Sequence, residues 1–300
     1  MSRSVSKSHN YKDNLSSFSF VLPALILFAI FNIYTFFDLF RLSFFQSNGL
    51  PGSKEVFVGL KNYINVFRDK IWWDSVGRAF FITFLSLTLQ NLLALILALL
   101  VDRGIRAEGL YKLIFFLPPV LSGIVVGLIW EWIFNGDFGL LNNWLKLVNL
   151  EHLTRAWLAD PETALYAVAF IHMWKGFGWG FVILLAGLQS IDVELYEAAE
   201  VDGATWWAKF LNITMPLMIP VFILLSILTI LGTMNIYDII VSTTRGGPGY
   251  HTEVPITRIL HSMVGSQKYG YASAQGIIFG VILLIISLGQ LKFSRRYKQE

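Results

Sequence analysis

Met215 to Tyr237 reads MPLMIPVFILLSILTILGTMNIY, a run with no Asp, Glu, Lys or Arg. About 20 apolar residues in an α-helix cover the hydrocarbon core of a bilayer, where backbone polar groups must be satisfied within the segment. The stretch therefore predicts a membrane-crossing helix, and the rest of the chain repeats the pattern. Ser17 to Phe37, Ala79 to Val101, Leu113 to Trp130 and Tyr269 to Leu291 are equally free of formal charge. Thr163 to Ile191 is also long enough but carries Lys175. Six spans predict an all-α membrane protein of six transmembrane helices, with both termini on one side.

Composition agrees with this reading. The 300 residues are 55% hydrophobic and 14% charged, whereas a soluble domain carries about 25% charge. A net charge of +3 is too small to point to nucleic acid. The absence of cysteine excludes disulfide frameworks, thiolate metal sites and cysteine nucleophiles.

Raw Lys and Arg counts do not orient the spans, because both sets of loops hold 11. Density does: Arg103, Arg106 and Lys112 crowd one short loop, and Lys292, Arg295, Arg296 and Lys298 crowd the tail. The positive-inside rule then places both termini in the cytoplasm of a multi-pass cell-membrane protein. Arg3, Lys7 and Lys12 precede an apolar run that is too long for a signal-peptide core and lacks a cleavage site, so it reads as a retained signal anchor. The external segments carry turn residues (Asn48-Gly49, Pro51-Gly52, Gly246-Gly247-Pro248-Gly249). Trp72, Trp73, Trp130 and Trp132 are expected to be anchors at the membrane interface. Gly123-x-x-x-Gly127 and Gly276-x-x-x-Gly280 predict close helix packing, and Pro118-Pro119 a break in the third span.

Between spans four and five lies Asp192-Val-Glu-Leu-Tyr-Glu-Ala-Ala-Glu-Val-Asp-Gly203, followed by Ile213-Thr-Met-Pro216. Asp192 is a plausible N-cap, Glu194 suits the positive end of a helix dipole, and Gly203 can take the left-handed conformation that ends a helix. Ala198 and Ala199 leave a narrow face open to close approach. Asp192, Glu194, Glu197, Glu200 and Asp202 hold the loop off an anionic leaflet. The segment predicts a docking helix for a partner protein.

Glu197-Ala198-Ala199, then Gly203, then Ile213-x-Met215-Pro216 resembles the EAA loop of binding-protein-dependent ABC importer permeases, with Met215 in place of the usual leucine. The likeness extends along the chain. Phe57-Val-Gly-Leu-Lys-Asn-Tyr63, Phe138-Gly-Leu-Leu-Asn142, Asp238 with Thr244-Arg-Gly-Gly-Pro248 and Thr252, and Gly270-Tyr-Ala-Ser-Ala274 all look like the sugar branch. They are most similar to its maltose-permease larger subunit or the corresponding glycerol-3-phosphate permease subunit, though the large external insertion of the former is absent here. The resemblance implies a type I importer fold. Its expected organisation is a tail at 1–16, a first helix and external segment at 17–78, a type-1 transmembrane domain at 79–291 with the coupling loop at 192–214, and a basic tail at 292–300. It further implies a heterodimer with a homologous permease, two cytoplasmic ATPase subunits and an extracytoplasmic solute-binding protein. Glu197, Ala198, Ala199, Asp202, Gly203, Ile213 and Pro216 would form the ATPase-coupling loop.

The sequence itself agrees that ATP chemistry lies elsewhere, because no G-x-x-x-x-G-K-[ST] run occurs. No cofactor is expected in this chain, ATP and Mg belonging to the partner ATPase, and neither a catalytic nor a metal site is expected.

Lys175 is the one formal charge well inside a span, where a charge costs about 2.5–3.5 kcal/mol on insertion scales, so it must face a cavity or a partner. Substrate contact, pairing with Asp238 or Glu131, and snorkelling to the outer face all remain open. His172, Lys175, Gly176 and Trp179 share a helix face with Trp174 beside them. Ser226, Thr229 and Thr233 share another, followed by Asn235 and Asp238. The resemblance aligns His172, Trp174, Gly176, Trp179, Thr229, Gly232 and Thr233 with segments that line a sugar site. Aromatic faces and short hydroxyls suit sugar rings, and a positive site favours an acidic oligosaccharide such as a uronate, or a glycerol phosphate. Thr83, Ser86 and Gln90 form a further polar stripe that lines the pathway or meets the partner permease. A membrane enzyme lacks its motifs here, with neither G-x-S-x-G nor H-E-x-x-H present. A proton-coupled transporter, with Lys175, His172 and Asp238 as its relay, would not need the acidic loop.

Overall fold

The computed structural model describes residues 11–50, 52–104 and 106–296. The expected basic positions Arg3, Lys7 and Lys298 and the turn residue Pro51 lie outside the described residues, as do the outer parts of both tails.

The chain divides into two compact units. The first combines residues 1–66 with 262–277. Helix α1 (Tyr11–Phe28) runs through a π-helical stretch, Ala29–Tyr34, into α2 (Thr35–Leu42). The membrane-spanning length is Phe20–Leu42, displaced toward the C-terminus from the expected Ser17 to Phe37. The displacement is possible because the charges at its end are paired: Arg41 bridges Asp38 at 2.9 Å and Glu55 at 2.6 Å. A two-stranded antiparallel ribbon follows, β1 (Phe45–Gln46) on β2 (Val56–Phe57), with Phe45 opposite Phe57. It leads into α3 (Lys61–Arg68). Buried Asn62 donates to the carbonyls of Ser43 and Phe45, both at 2.9 Å, and the Tyr63 hydroxyl meets Ser43 Oγ at 2.6 Å.

The second unit, 67–261 with 278–300, holds the bundle. Helix α4 (Lys70–Leu85) is capped by Asp69, which accepts from the Ile71 and Trp72 amides. It continues through a π-helical turn, Ser86–Gln90, into α5 (Asn91–Asp102). Helices α6 (Glu108–Val120) and α7 (Gly123–Ile133) meet at 96°. The break falls just after Pro118-Pro119, because prolines remove backbone donors and block continuation. Then come α8 (Leu140–Leu147), α9 (Ala164–Gln189), α10 (Val193–Val201), α11 (Trp206–Lys209), α12 (Met215–Met234), α13 (Asp238–Thr243) and α14 (Pro255–Leu260). The last helix, α15 (Tyr269–Arg296), begins in the first unit and ends in the second. Among the described residues five helical stretches are long and apolar enough to cross a bilayer, and the bent α6–α7 pair, taken as one span, makes six.

Lipid tails are as apolar as leucine, so helices in a bilayer hold together by close packing rather than by water exclusion. Small residues supply it here. A Cβ on Gly180 of α9 would sit 3.1 Å from that of Ala94 on α5, and one on Gly187 would press on Val221 and Met218 of α12. Phe181, Leu184, Leu188, Met218 and Leu225 fill the space between these three helices. The Gly123-x-x-x-Gly127 motif packs α7 on α13, where added Cβ atoms would collide with the Asp238 carboxylate and the Ser242 hydroxyl. Among the described residues Gly276-x-x-x-Gly280 packs on nothing closely: Leu39 lies 3.8 Å from a Cβ at 276, and nothing lies within 4 Å of one at 280.

One expected interface anchor is a core residue instead. Trp72 is 0% exposed and meets Phe279 edge to face, their ring centroids 6.5 Å apart. Trp130 joins Phe134, Phe170 and Trp174 in an aromatic cluster. Trp73 and Trp132 remain exposed.

Candidate functional site

The two faces read from the sequence, one on α9 and one on α12, meet around a cavity of about 620 Å³, a volume in the usual range for small-molecule sites. Its wall includes His172, Lys175, Gly176 and Trp179 from α9. From α12 and the segment after it come Thr229, Gly232, Thr233, Asn235 and Asp238. Of the ten residues expected along the pathway only Trp174 lies elsewhere, edge to face against Trp130 at 5.4 Å. It sits one residue from Lys175, about 100° round a helix, which turns it to the neighbouring α7.

Helix α12 stops at Met234, three residues before the expected end of the span. Asn235 (φ −97°) and Tyr237 (φ −147°) leave the helical region, and α13 restarts at Asp238. Non-helical backbone at membrane depth is tolerated where it lines a cavity, and Asn235, Ile236 and Tyr237 do so. Two links tie the wall together. His172 Nε2 lies 3.2 Å from Thr233 Oγ1, and Asn91 Nδ2 donates to Thr229 Oγ1 at 3.3 Å. Ser226 bonds back to the Phe222 carbonyl and stays off the wall. Asp238 Oδ1 accepts from its neighbour's amide, Ile239 N, at 2.9 Å.

Among the described residues Lys175 forms no ion pair with Asp238, Glu131 or any other acid. Gln90, Gly180, Leu225, Leu228, Tyr237 and Ile239 also line the cavity. Of these the sequence singled out Gln90 alone, as part of a polar stripe whose direction it did not determine. Leu225 and Leu228 were accessible only as the positions one turn before Thr229 and Gly232 respectively.

At the opposite end of α9, Asp192 caps α10 by accepting from the Glu194 amide at 3.4 Å, and Gly203 closes it at φ +76°. The Ala204 amide bonds back to the Ala199 carbonyl and the Gly203 amide to that of Glu200, a reverse turn that favours a residue without Cβ. Lys209 pairs with Glu200 and holds its carboxyl below the usual glutamate range. The Tyr196 hydroxyl meets Thr214 Oγ1 at 2.8 Å, tying α10 to the start of α12. The outer face is bare. Val193 is 62% and Val201 89% exposed, and Glu197, Ala198, Asp202, Gly203 and Pro216 are exposed with them. Ala199 and Ile213 are half-buried.

A short acidic helix held between two membrane helices, with Glu197 and Asp202 exposed beside Val193 and Val201, is the arrangement that the EAA resemblance implies. Residues 70–299 match the family described as "Binding-protein-dependent transport system inner membrane component". The chain belongs to that family.

The probable ABC transporter permease YurN of Bacillus subtilis (strain 168) is 34% identical over 96% of this chain and 99% of its own length. The trehalose/maltose transport system permease MalF of Thermococcus litoralis is 30% identical over 98% and 99%. A solved bacterial ABC transporter chain involved in the import of the acidic polysaccharide alginate superposes with a TM-score of 0.83. It covers 95% of this chain and 96% of its own at 24% identity, a likeness of fold. As an inner-membrane component of this family, the chain is a multi-pass membrane subunit and not an enzyme, ATP hydrolysis belonging to a separate subunit.

The motifs of the resemblance outside the EAA-like loop turn out to hold loops in place. Asn142 donates to the carbonyls of Gly136 and Arg155 and accepts from Trp157 Nε1 at 2.8 Å, fastening the segment between α7 and α9. Thr244 and Thr252 share a hydrogen bond of 2.7 Å, and Thr252 donates to the Gly247 carbonyl, closing the loop that carries the cis Gly247-Pro248 bond.

Proposed function

We propose that this chain is the permease subunit of an ATP-driven carbohydrate importer, and that its solute is an oligosaccharide bearing an acidic group. The observation that carries the reading is Lys175, a lysine on a cavity wall within a membrane span, with no acidic partner among the described residues. A charge kept at that depth marks a solute path by default. Trp179 adds an aromatic face and Thr229, Thr233 and Asn235 add hydrogen-bonding groups, the mixture that suits a sugar ring. The sugar assignment is supported by the trehalose/maltose relative and the acidic lean by the alginate transporter of the same fold.

In this reading the chain pairs with a homologous permease, both termini face the cytoplasm, and a solute-binding protein delivers the sugar from outside. Two ATPase subunits, which alone hold ATP and Mg, dock on Glu197, Ala198, Ala199, Asp202 and Gly203. Ile213 and Pro216 carry the motion into α12. Closure of the ATPases moves α10, which is tied at Tyr196–Thr214 and Glu200–Lys209, and rocks α9 and α12 between outward and inward openings.

The test is uptake of one neutral and one uronate oligosaccharide by the reconstituted complex carrying Lys175→Ala. Loss of a buried charge-assisted contact predicts uronate uptake reduced by about tenfold or more, with neutral uptake changed by less than about threefold. Equal loss of both, or loss of neither, removes the charge argument.

A further inference from the structure

Buried polar groups are nearly always hydrogen-bonded, and one that is not calls for an explanation. Gln90 is 6% exposed, and its Oε1 has no partner among the described residues. It belongs to the cavity wall. Its place in the backbone is unusual as well, being the last residue of the π-helical turn Ser86–Gln90 between α4 and α5. Such a turn carries one residue more than an α-helical turn, which rotates everything after it, and single π turns recur at functional sites.

Across from Gln90 stands Gly176 of α9, also on the wall. A Cβ at 176 would come within 2.7 Å of Gln90 Oε1 and 2.9 Å of Nε2. The amide therefore occupies space that only a glycine leaves free. The next residue supplies a contrast. Asn91 is a second amide on the same helix, and it is used up in joining α5 to Thr229 of α12. The Gln90 side chain forms no hydrogen bond among the described residues, although it stands against Gly176 on the helix that carries Lys175.

We propose that Gln90 is a solute-contacting residue: its amide bonds a hydroxyl of the transported saccharide, while Gly176 keeps open the space the amide needs. The proposal rests on the saccharide reading above and names one of its specificity determinants. A hydroxyl both donates and accepts, so either end of the amide can serve. A site built to bond a hydroxyl rejects the analogue lacking it, because the buried partner is then left unpaired. Lys175 would select the charge of the solute and Gln90 the position of one hydroxyl.

The experiment compares the best-transported oligosaccharide with its set of monodeoxy analogues. Uptake is measured in proteoliposomes holding the complete complex with its binding protein. That protein is common to every reaction, so its own preference cancels between variants. Wild type is expected to lose about tenfold in uptake kcat/KM at one deoxy position. Gln90→Met, similar in shape but without the amide, is expected to lose about tenfold on the parent sugar and to transport parent and deoxy analogue within twofold of each other. Gln90→Glu, which retains an acceptor, keeps the discrimination. Gly176→Ala, which displaces the amide from the other side, abolishes it even if the Gln90→Met complex fails to assemble. A structural role would lower parent and analogue in parallel and preserve their ratio, and that result overturns the proposal. So does wild type that ignores every deoxygenation while importing the sugar. Wild type that imports no saccharide contradicts the saccharide reading and the proposal with it, an outcome distinct from failure at Gln90 alone.

Discussion

Gly123 shows how much a single hydrogen in place of a methyl decides in this bundle. Its Cα faces the Asp238 carboxylate so closely that no Cβ fits. Gly123→Val therefore forces α7 away from α13 and disturbs the cavity wall that Asp238 joins. Overpacking of this kind costs about 1–3 kcal/mol or more, so the melting temperature of the purified complex is expected to fall by roughly 5–10 °C, with uptake impaired; an unchanged melting temperature would contradict the packing. Outside the spans, Glu253 is 3% exposed. Burial pushes its carboxyl above the ordinary glutamate value, against the opposing pull of Arg258, His261 and Arg78. A carboxyl raised in the folded state binds its proton more readily there than in the unfolded chain. Its contribution to stability is then complete below the unfolded value and is lost as pH rises through the folded one. Wild type is thus expected to gain stability relative to Glu253→Gln as pH falls from about 7 toward 4.5, read by melting at each pH. A relative loss on acidification would mean that the Arg258 pairing outweighs burial. Neither residue's environment was legible in the sequence, because Gly123 announced close packing without naming its partner and Glu253 lay in no pattern at all. Trp72 is the plainest failure: an aromatic at a span edge is ordinarily an anchor, and only tertiary packing buries it.

At the scale of elements, charge-free runs located the spans well, since the cost of a charge in lipid is a local property of the sequence. Their ends and irregularities were less legible. Helix α12 ends at Met234 because the backbone unwinds beside the cavity, and the π turn before Asn91 leaves no trace in hydropathy. Helix α10 and its ends were legible almost completely, because N-cap, dipole and terminal glycine all act within one turn. Gly203 at φ +76° makes a sharp test. A β-branched residue there costs about 1–2 kcal/mol of backbone strain, and proline cannot adopt a positive φ at all. Gly203→Pro, and independently charge reversal at Glu197, are expected to abolish uptake while insertion and expression continue; normal uptake in either would remove α10 from the coupling route. Asn142 tests the opposite kind of element, a loop fastener. Asn142→Ala leaves the carbonyls of Gly136 and Arg155 and the indole of Trp157 without their partner. Such losses cost about 1–3 kcal/mol each when buried, so protease sensitivity of the 134–163 segment is expected to rise well before the spans are affected. Equal protection in wild type and variant would contradict this role.

On the scale of the whole molecule, two kinds of charge stand out against the general scarcity. Lys175 sits on the cavity wall without an ionic partner among the described residues, and the acids of α10 lie on an open face at the far end of the same helix pair. Their separation fits the division of labour proposed above, with solute at one end of α9 and α12 and force at the other. The same residues Lys175, His172 and Asp238 could be arranged as a proton relay, and only the energy source separates the two schemes. The deciding measurement is solute uptake in proteoliposomes containing the complete complex, with ATP, the binding protein and the proton gradient removed in turn. Uptake that requires ATP and the binding protein and survives collapse of the gradient is the predicted result. Uptake that persists without ATP and disappears with the proton gradient would contradict the account.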